Sequence, residues 1–197
     1  MHADITNVFT PALAVEDVAR FAGRQEQLEK LSLALQSSGT QLVIYGNRGV
    51  GKSSLARQLA SLARGDSAVI ERLSLRPSAT PDWLVVHIEC DDTLPDVRSL
   101  ILRLLTDDGA LAPWIPFRVE KQTVGTEASA SLNVKVLMLS AKGTDNATLH
   151  REVSETDIYS AFSNAIKHIV DSGVTRHGVL FLIDEVDRIK QRDELAS

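Results

Sequence analysis

The sequence predicts an α/β protein in which a parallel β-sheet lies between two layers of helices. A short β-rich apolar run at 42–45 precedes a glycine-rich segment and a helical pattern. Two further apolar runs, at 83–90 and 179–185, are nearly continuous, as is typical of strands buried on both faces. Helical patterns at 96–105 and 158–169 lie between these runs, and such alternation is typical of parallel sheets. The 197 residues suffice for one such domain or for part of a larger one.

Leucine spacing predicts two helices in the first third of the chain. The first follows Arg24 and ends at 37–39, where Ser-Ser-Gly is a stop signal. The second covers 54–64, and a polar link follows it at 65–81. The leucines that recur at helical spacing, and so define one buried face in each helix, are Leu28, Leu31 and Leu35, then Leu55, Leu59 and Leu62.

Two further helices are predicted in the second half of the chain. Apolar residues recur at helical spacing over 96–105. The run Ser-Glu-Thr-Asp at 154–157 fits a capping box, which predicts that a helix begins there and continues to 171. Its buried face is predicted to carry Ile158, Phe162, Ile166 and Ile169. A short helix is expected from Val186 onward.

The segment 112–149 differs from its surroundings, because proline and glycine interrupt it and serine, threonine and alanine are frequent. Within it, alternate positions are apolar, and this period of two is typical of a strand; the positions are Leu132, Val134, Val136 and Met138. Two interpretations remain open. The segment is either a hairpin-like insertion that projects from the sheet or a flexible loop.

A phosphate-binding loop is predicted at 46–53, which fits the pattern G-x-x-x-x-G-K-[ST]. Glycines allow a tight turn that aims successive N–H groups inward, and the N-terminus of the following helix adds positive partial charge. Lys52 is expected to reach the β- and γ-phosphates, and the Ser53 hydroxyl to coordinate Mg²⁺. The predicted nucleotide-binding residues of this segment are Gly46, Asn47, Arg48, Gly49, Val50, Gly51, Lys52, Ser53 and Ser54.

The apolar run at 179–185 ends in two acids, Asp184 and Glu185. Taken alone, an acidic strand end is often a solvated turn. Beside a phosphate loop, however, it supplies what nucleotide hydrolysis needs, because Mg²⁺ prefers oxygen ligands and keeps most of its water. Asp184 is therefore the expected metal ligand, and Glu185 is expected to orient the attacking water. Lys52 and Glu185 are the predicted catalytic residues.

The order of the motifs favours ATP over GTP. GTP-binding proteins are expected to carry D-x-x-G and then N-K-x-D, and this sequence contains neither. A complete strand–helix unit separates the loop from Asp184-Glu185, which is the layout of the additional-strand type of P-loop NTPase. The sequence thus predicts a three-layer P-loop NTPase fold of that type, with ATP and Mg²⁺ as cofactors.

Composition bounds the partners and the compartment. The formal net charge of −5 gives no general attraction to DNA, and a single cysteine excludes a disulfide framework. Apolar runs stay far below the roughly twenty residues that a membrane span requires, so no membrane partner is expected. The first residues lack the apolar core of a signal peptide, and a cytoplasmic location is predicted.

At these motifs the chain resembles bacterial AAA+/STAND-type P-loop ATPases, similar to the origin-recognition class of AAA+ proteins. The resemblance rests on a Phe-x-Gly-Arg box (Phe21, Gly23, Arg24), on the loop, and on the acidic strand end with 186–188 after it. It implies that Phe21, Gly23 and Arg24 lie on the adenine side of the nucleotide. It also implies a partner, which would be a second copy of the chain or a downstream effector domain.

In that family a sensor strand, an arginine finger and a helical lid follow the acidic strand, whereas this chain ends at Ser197. Residues 21–197 are therefore predicted to form a partial ATPase domain that is incomplete at its C-terminus. Residues 1–20 are predicted to form an N-terminal arm. The predicted function is a Mg·ATP-dependent switch whose hydrolysis is weak or depends on those later parts. A DNA-associated subunit of the initiator or loader type is the alternative. ATPase activity is expected if the domain is complete.

Overall fold

The computed structural model describes eight stretches of the chain, which are residues 21, 23–37, 39–47, 49–72, 74, 81–121, 133–140 and 150–189. The predicted arm at 1–20 lies outside them. The chain divides into two compact units, 1–85 and 86–197, and each is described by itself. Among the helices in these stretches, none is long and apolar enough to span a bilayer.

Three helices form the described core of the first unit. They are α1 (Gln25–Ala34), α2 (Lys52–Ala63) and α3 (Ser67–Arg72), and α2 packs against both others. The predicted apolar face of α2 is confirmed, because Leu55, Leu59 and Leu62 are all buried. In α1 the fully buried leucine is Leu28, so this helix contributes a narrower apolar stripe than its spacing predicts.

The short helix α3 was not predicted, since it lies in the segment interpreted as a polar link. Asp66 begins it: its carboxylate accepts a hydrogen bond from the Ala68 N–H at 2.9 Å. Val69 is its buried residue. A six-residue helix with one buried side chain has too little periodicity to be seen in the sequence, and the helix depends on its packing against α2.

The strand predicted at 42–45 is wrong for this structure. Residues 40–45 carry no strand pairing, and the side chains of Val43 and Tyr45 are 82% and 87% exposed. A β-strand exists only when its N–H and C=O groups pair with a neighbouring strand. The described residues provide no such neighbour for this segment, so its apolar, β-branched composition does not produce a strand.

In the second unit, a parallel pair of strands confirms both other predicted apolar runs. β1 (Trp83–Glu89), which begins at the boundary between the units, pairs with β5 (Gly178–Asp184). Helix α4 (Val97–Thr106) begins at Asp96, whose carboxylate accepts a hydrogen bond from the Ser99 N–H at 2.7 Å. Helix α5 (Ile158–Asp171) packs against α4 and against β5, where the rings of Phe162 and Phe181 are 5.7 Å apart.

A separate antiparallel sheet contains the strand predicted within 112–149. Its order is β2 (Phe117–Lys121), β3 (Asn133–Ser140) and β4 (His150–Asp157). In its register Val119 lies opposite Val136, and both are buried together with Phe117. The antiparallel pairing of β2 with β3 agrees with the hairpin interpretation of 112–149, and that this segment is an insertion that projects from the sheet stays a prediction. The same sheet packs against α4 through β2 and against α5 through β3 and β4.

The capping box predicted at 154–157 is wrong, although the helix after it is confirmed. Residues 154–156 pair with β3 as part of strand β4, and this pairing extends to Asp157 opposite Asn133. The helix begins after Asp157, whose carboxylate accepts hydrogen bonds from the N–H groups of Tyr159 and Ser160. Strand pairing thus takes the backbone that the box would need, and the cap moves three residues along the chain.

Helix α5 provides a matched test of the core. Ile169 is fully buried, whereas its neighbour Val170 is 49% exposed. Replacing Ile169 by Ala removes apolar contacts and leaves a cavity, so the free energy of unfolding should fall by about 2–5 kcal/mol. Val170→Ala should change it by less than about 0.5 kcal/mol. Urea denaturation of both variants measures the difference, and equal losses would contradict the burial of this face.

Candidate functional site

The glycine-rich loop holds the ammonium group of Lys52 over its own backbone. Lys52 is the first residue of α2, and its Nζ donates to the carbonyl oxygens of Gly46 at 3.1 Å and Asn47 at 3.2 Å. The lysine side chain therefore folds back to the start of the loop and places a positive charge beside the backbone of Gly46 and Asn47. Of the predicted loop residues, Arg48 lies outside the described stretches.

Backbone geometry at the end of the loop requires glycine. Gly51, the residue before α2, has a φ of 84°, where a Cβ atom is strained. Its neighbours Ser53 and Ser54 lie half-buried in the first turn of α2. Within the described stretches, no side chain caps the N-terminus of α2. Its first N–H groups point toward the loop, and a helix N-terminus of this kind can hold an anion.

The Phe-x-Gly-Arg box lies against this loop in the same unit. Phe21 is buried, and its carbonyl oxygen accepts a hydrogen bond from Arg72 Nη2 of α3 at 3.0 Å. Gly23, at a φ of 79°, turns the chain between Phe21 and Arg24. The Arg24 guanidinium lies beside Gly51, with Nε 3.9 Å from the position that a Cβ atom would occupy there. The structure thus brings the box and the loop together.

The predicted acidic residues lie at the end of β5 in the second unit. Asp184 is the last residue of the strand, and its carbonyl oxygen accepts a hydrogen bond from the Cys90 N–H at 2.9 Å. Glu185 follows in the left-handed region, at a φ of 55°. Its N–H donates to Asp184 Oδ1 at 2.9 Å, and its carboxylate accepts from Arg188 Nε at 3.1 Å. The Asp184 carboxylate is therefore held by a backbone N–H, whereas the Glu185 carboxylate is held by a guanidinium side chain.

The residues after Glu185 form a single 3-10 turn, Val186–Arg188, in place of the short helix that was expected there. Residues beyond 189 lie outside the described stretches. The turn brings Arg188 back to Glu185, and this ion pair also raises the pKa of Arg188. Arg188 is thus held by the Glu185 carboxylate within the described part of the chain.

Asp91, just after β1, forms an unpredicted polar cluster. Its carboxylate accepts hydrogen bonds from the Thr93 hydroxyl and N–H and from Arg103 Nη1 of α4, the last at 3.0 Å. These donors, those of Thr93 first, lower the pKa of Asp91 to about 2. Beside it, burial raises the pKa of the Cys90 thiol, which is therefore protonated and unreactive at neutral pH. The cluster ties α4 to the end of β1.

The lowered pKa predicts how stability changes with pH. A carboxyl group with a pKa of about 2 when folded and about 4 when unfolded stabilises the fold fully above the unfolded value. That contribution is lost as the pH falls through the folded value. Asp91→Asn should therefore be less stable than the wild type at pH 7, and most of the difference should be lost by about pH 2.

Urea midpoints measured from pH 2 to pH 7 would test this expectation. Asp92→Asn, at the exposed neighbouring position, is the control for the loss of one negative charge. A difference between Asp91→Asn and the wild type that stays constant over the whole range would contradict the role of the Asp91 contacts.

The donor types that were predicted for Mg²⁺ are a hydroxyl, on Ser53, and a carboxylate, on Asp184. Both are oxygen ligands, which suit this ion, and Mg²⁺ commonly takes few ligands from the protein. In the part of the chain that the structure describes, no group of three or more His, Cys, Asp or Glu side chains is arranged to hold a metal ion.

Comparison with known protein families identifies the chain. The model of the AAA ATPase domain family matches residues 20–196, which is most of the sequence. The chain belongs to that family. The same comparisons found no matching curated protein and no matching solved structure. Membership in the AAA ATPase domain family implies an α/β P-loop fold and a nucleotide-binding ATPase.

For this AAA ATPase domain, family membership and geometry agree at the loop. The family implies ATP binding, and Lys52, Gly51 and the first turn of α2 provide positive charge and N–H donors in one place. The roles of the individual residues remain predictions from the sequence. Sequence reasoning missed that Arg24 lies beside Gly51, because this contact has no signature of spacing. It also missed the pair of Glu185 and Arg188, although their i,i+3 spacing is a signal that could have found it.

Proposed function

We propose that this AAA ATPase domain is a Mg·ATP-dependent switch that hydrolyses ATP slowly and regulates an attached or partner domain. The observation that carries the proposal is the loop at the start of α2, where the Lys52 ammonium is 3.1 Å from the Gly46 carbonyl oxygen. A nucleotide's β- and γ-phosphates would replace these carbonyls as partners of the lysine. The N–H groups of the first turn of α2 would add further donors.

The remaining site residues are assigned by the same proposal. The segment 46–54 would hold the phosphates, Ser53 and Asp184 would coordinate Mg²⁺, and Glu185 would orient the attacking water. Phe21 and Gly23, both in the Phe-x-Gly-Arg box, would help to hold the nucleotide. The switch would be of the AAA+/STAND type, with a second copy of the chain or an effector domain as its partner.

The Glu185–Arg188 ion pair supports slow hydrolysis. A general base must reach the proton of the attacking water, whereas the Glu185 carboxylate is held by the Arg188 guanidinium at 3.1 Å. Both side chains of this pair are about half exposed, so the contact is weak and can open when a ligand binds. A base that is partly occupied by a neighbour favours a long-lived ATP state, which is the property of a switch.

Thermal melting with nucleotides tests the function. A ligand present at 100 times its dissociation constant stabilises the protein by about 2.7 kcal/mol, which is a clear rise in Tm. We expect ATP with Mg²⁺ to raise Tm more than GTP does, and more than ATP with a chelator. Slow ATP turnover, measured as released phosphate, should accompany this binding. No rise with any nucleotide would refute the proposal.

The DNA-associated alternative rests on the resemblance to origin-recognition proteins alone. The net charge of −5 opposes it, since nonspecific DNA binding depends on basic surface. A gel shift with duplex DNA at low salt would favour this alternative if a salt-sensitive complex forms. We expect no complex.

A further inference from the structure

The guanidinium group of Arg24 lies at the phosphate end of the loop. Its Nε and Cζ atoms are 3.9 and 4.0 Å from the position of a Cβ atom on Gly51, which is ordinary van der Waals contact. Gly51 directly precedes Lys52 and is the residue from which α2 begins. The side chain of Arg24 thus lies next to the part of the loop that is expected to hold phosphate.

Contacts on both sides fix Arg24 in this place. Before it, Phe21 is buried and bonded to Arg72, and Gly23 makes the turn. After it, the Leu28 N–H donates to the Arg24 carbonyl oxygen at 3.1 Å, and Leu28 itself is fully buried. Arg24 directly precedes α1, and the packing of α1 against α2 holds this end of the helix in place. The backbone of Arg24 is therefore held in place, so its side chain extends toward a ligand from a supported position.

The acidic residues of the first turns of α1 are engaged elsewhere. Glu26 forms an ion pair with Lys30 at 2.7 Å, and Glu29 accepts a hydrogen bond from Gln25 at 3.0 Å. Three sources of positive charge lie next to Gly51. They are Arg24, Lys52 and the N-terminus of α2. Arginine also presents a planar fork that matches phosphate oxygens, whereas a purine ring offers it a weaker partner.

We propose that Arg24 is a phosphate-binding residue of this site, and that it contacts the phosphate chain of the nucleotide rather than the adenine ring. The inference rests on the proposed nucleotide-binding function and refines it. Phe21 and Gly23 then act by placing Arg24, since the buried ring anchors the segment and the glycine turns it toward the loop. The box and the loop together form one anion site.

Three probes separate a phosphate role from an adenine role. They are ATP, inorganic tripolyphosphate, which has no base, and adenosine, which has no phosphate, each used to displace a fluorescent ATP analogue from the full chain. Arg24→Gln should weaken ATP and tripolyphosphate by the same factor, about tenfold or more, because a charge-assisted contact is lost in both. Adenosine should bind equally well to both proteins. Arg24→Lys should show a smaller loss, since it keeps the charge without the fork.

Arg64→Gln is the matched control. Arg64 is exposed at the far end of α2, about 20 Å along the helix from Gly51, and its loss changes the net charge by the same amount. It should leave all three affinities unchanged, and melting curves verify that each variant is folded. A loss of adenosine affinity in Arg24→Gln, or three unchanged affinities, would overturn the inference. If the wild type binds neither ATP nor tripolyphosphate, the proposed function itself would be overturned.

Discussion

Lys52→Ala should weaken the binding of Mg·ATP by at least about 100-fold, which corresponds to about 2.7 kcal/mol. The ammonium group is the mobile charge of the loop. Truncating one member of a hydrogen-bonded charge pair typically costs about 2–5 kcal/mol of binding free energy, and the expected loss lies in this range. The fold should be unaffected, because the carbonyl groups that Lys52 contacts lie on exposed residues where water can replace it. Isothermal titration calorimetry measures the affinity, and Tm without ligand measures the fold.

The control for this variant is Lys30→Ala. Lys30 pairs with Glu26 on the exposed side of α1, so its loss removes the same charge away from the loop. Its ATP affinity should equal that of the wild type, and its stability should change little, because the Lys30–Glu26 pair is exposed to solvent. Equal binding of Mg·ATP by Lys52→Ala and the wild type would mean that the loop does not hold the phosphates.

Glu185→Gln should preserve nucleotide binding and reduce the rate of ATP hydrolysis by about 100-fold or more. A positioned general base contributes about 10²–10⁴-fold to a rate, and glutamine keeps the shape of the side chain without the basic oxygen. Stability should change little, since the lost partner is Arg188 in an exposed ion pair. Release of phosphate at saturating Mg·ATP gives the rate, and calorimetry gives the affinity.

Asp187→Asn serves as the comparison, because Asp187 is exposed in the same 3-10 turn and its loss removes one negative charge. We expect wild-type turnover for this variant. If Glu185→Gln and the wild type hydrolyse ATP at the same rate, Glu185 does not act on the water, whatever the role of Asp184.

The sequence predicted best where one element carries its own periodicity. The buried face of α2 and the helix α5 follow from apolar residues at helical spacing, and β1 and β5 follow from nearly continuous apolar runs. These patterns depend on residues close in sequence. The family resemblance was likewise carried by short contiguous motifs, and the family match over 20–196 supports its broader part.

The elements that were missed or misplaced depend on partners distant in sequence. The run at 42–45 has the composition of a strand but no neighbour to pair with, whereas 154–156 pair with β3 and so cannot cap α5. Helix α3 is too short to show a period. Likewise the approach of Arg24 to Gly51 depends on how α1 packs against α2, which no motif contains.

The backbone of Glu185 shows a compromise between folding and chemistry. A non-glycine residue in the left-handed region costs about 1–2 kcal/mol, and at a φ of 55° this residue bears that cost at the end of β5. Glycine would relieve the strain but would remove the carboxylate. If the proposed role of Glu185 is correct, this strain is the cost in folding free energy of keeping a carboxylate at the end of β5.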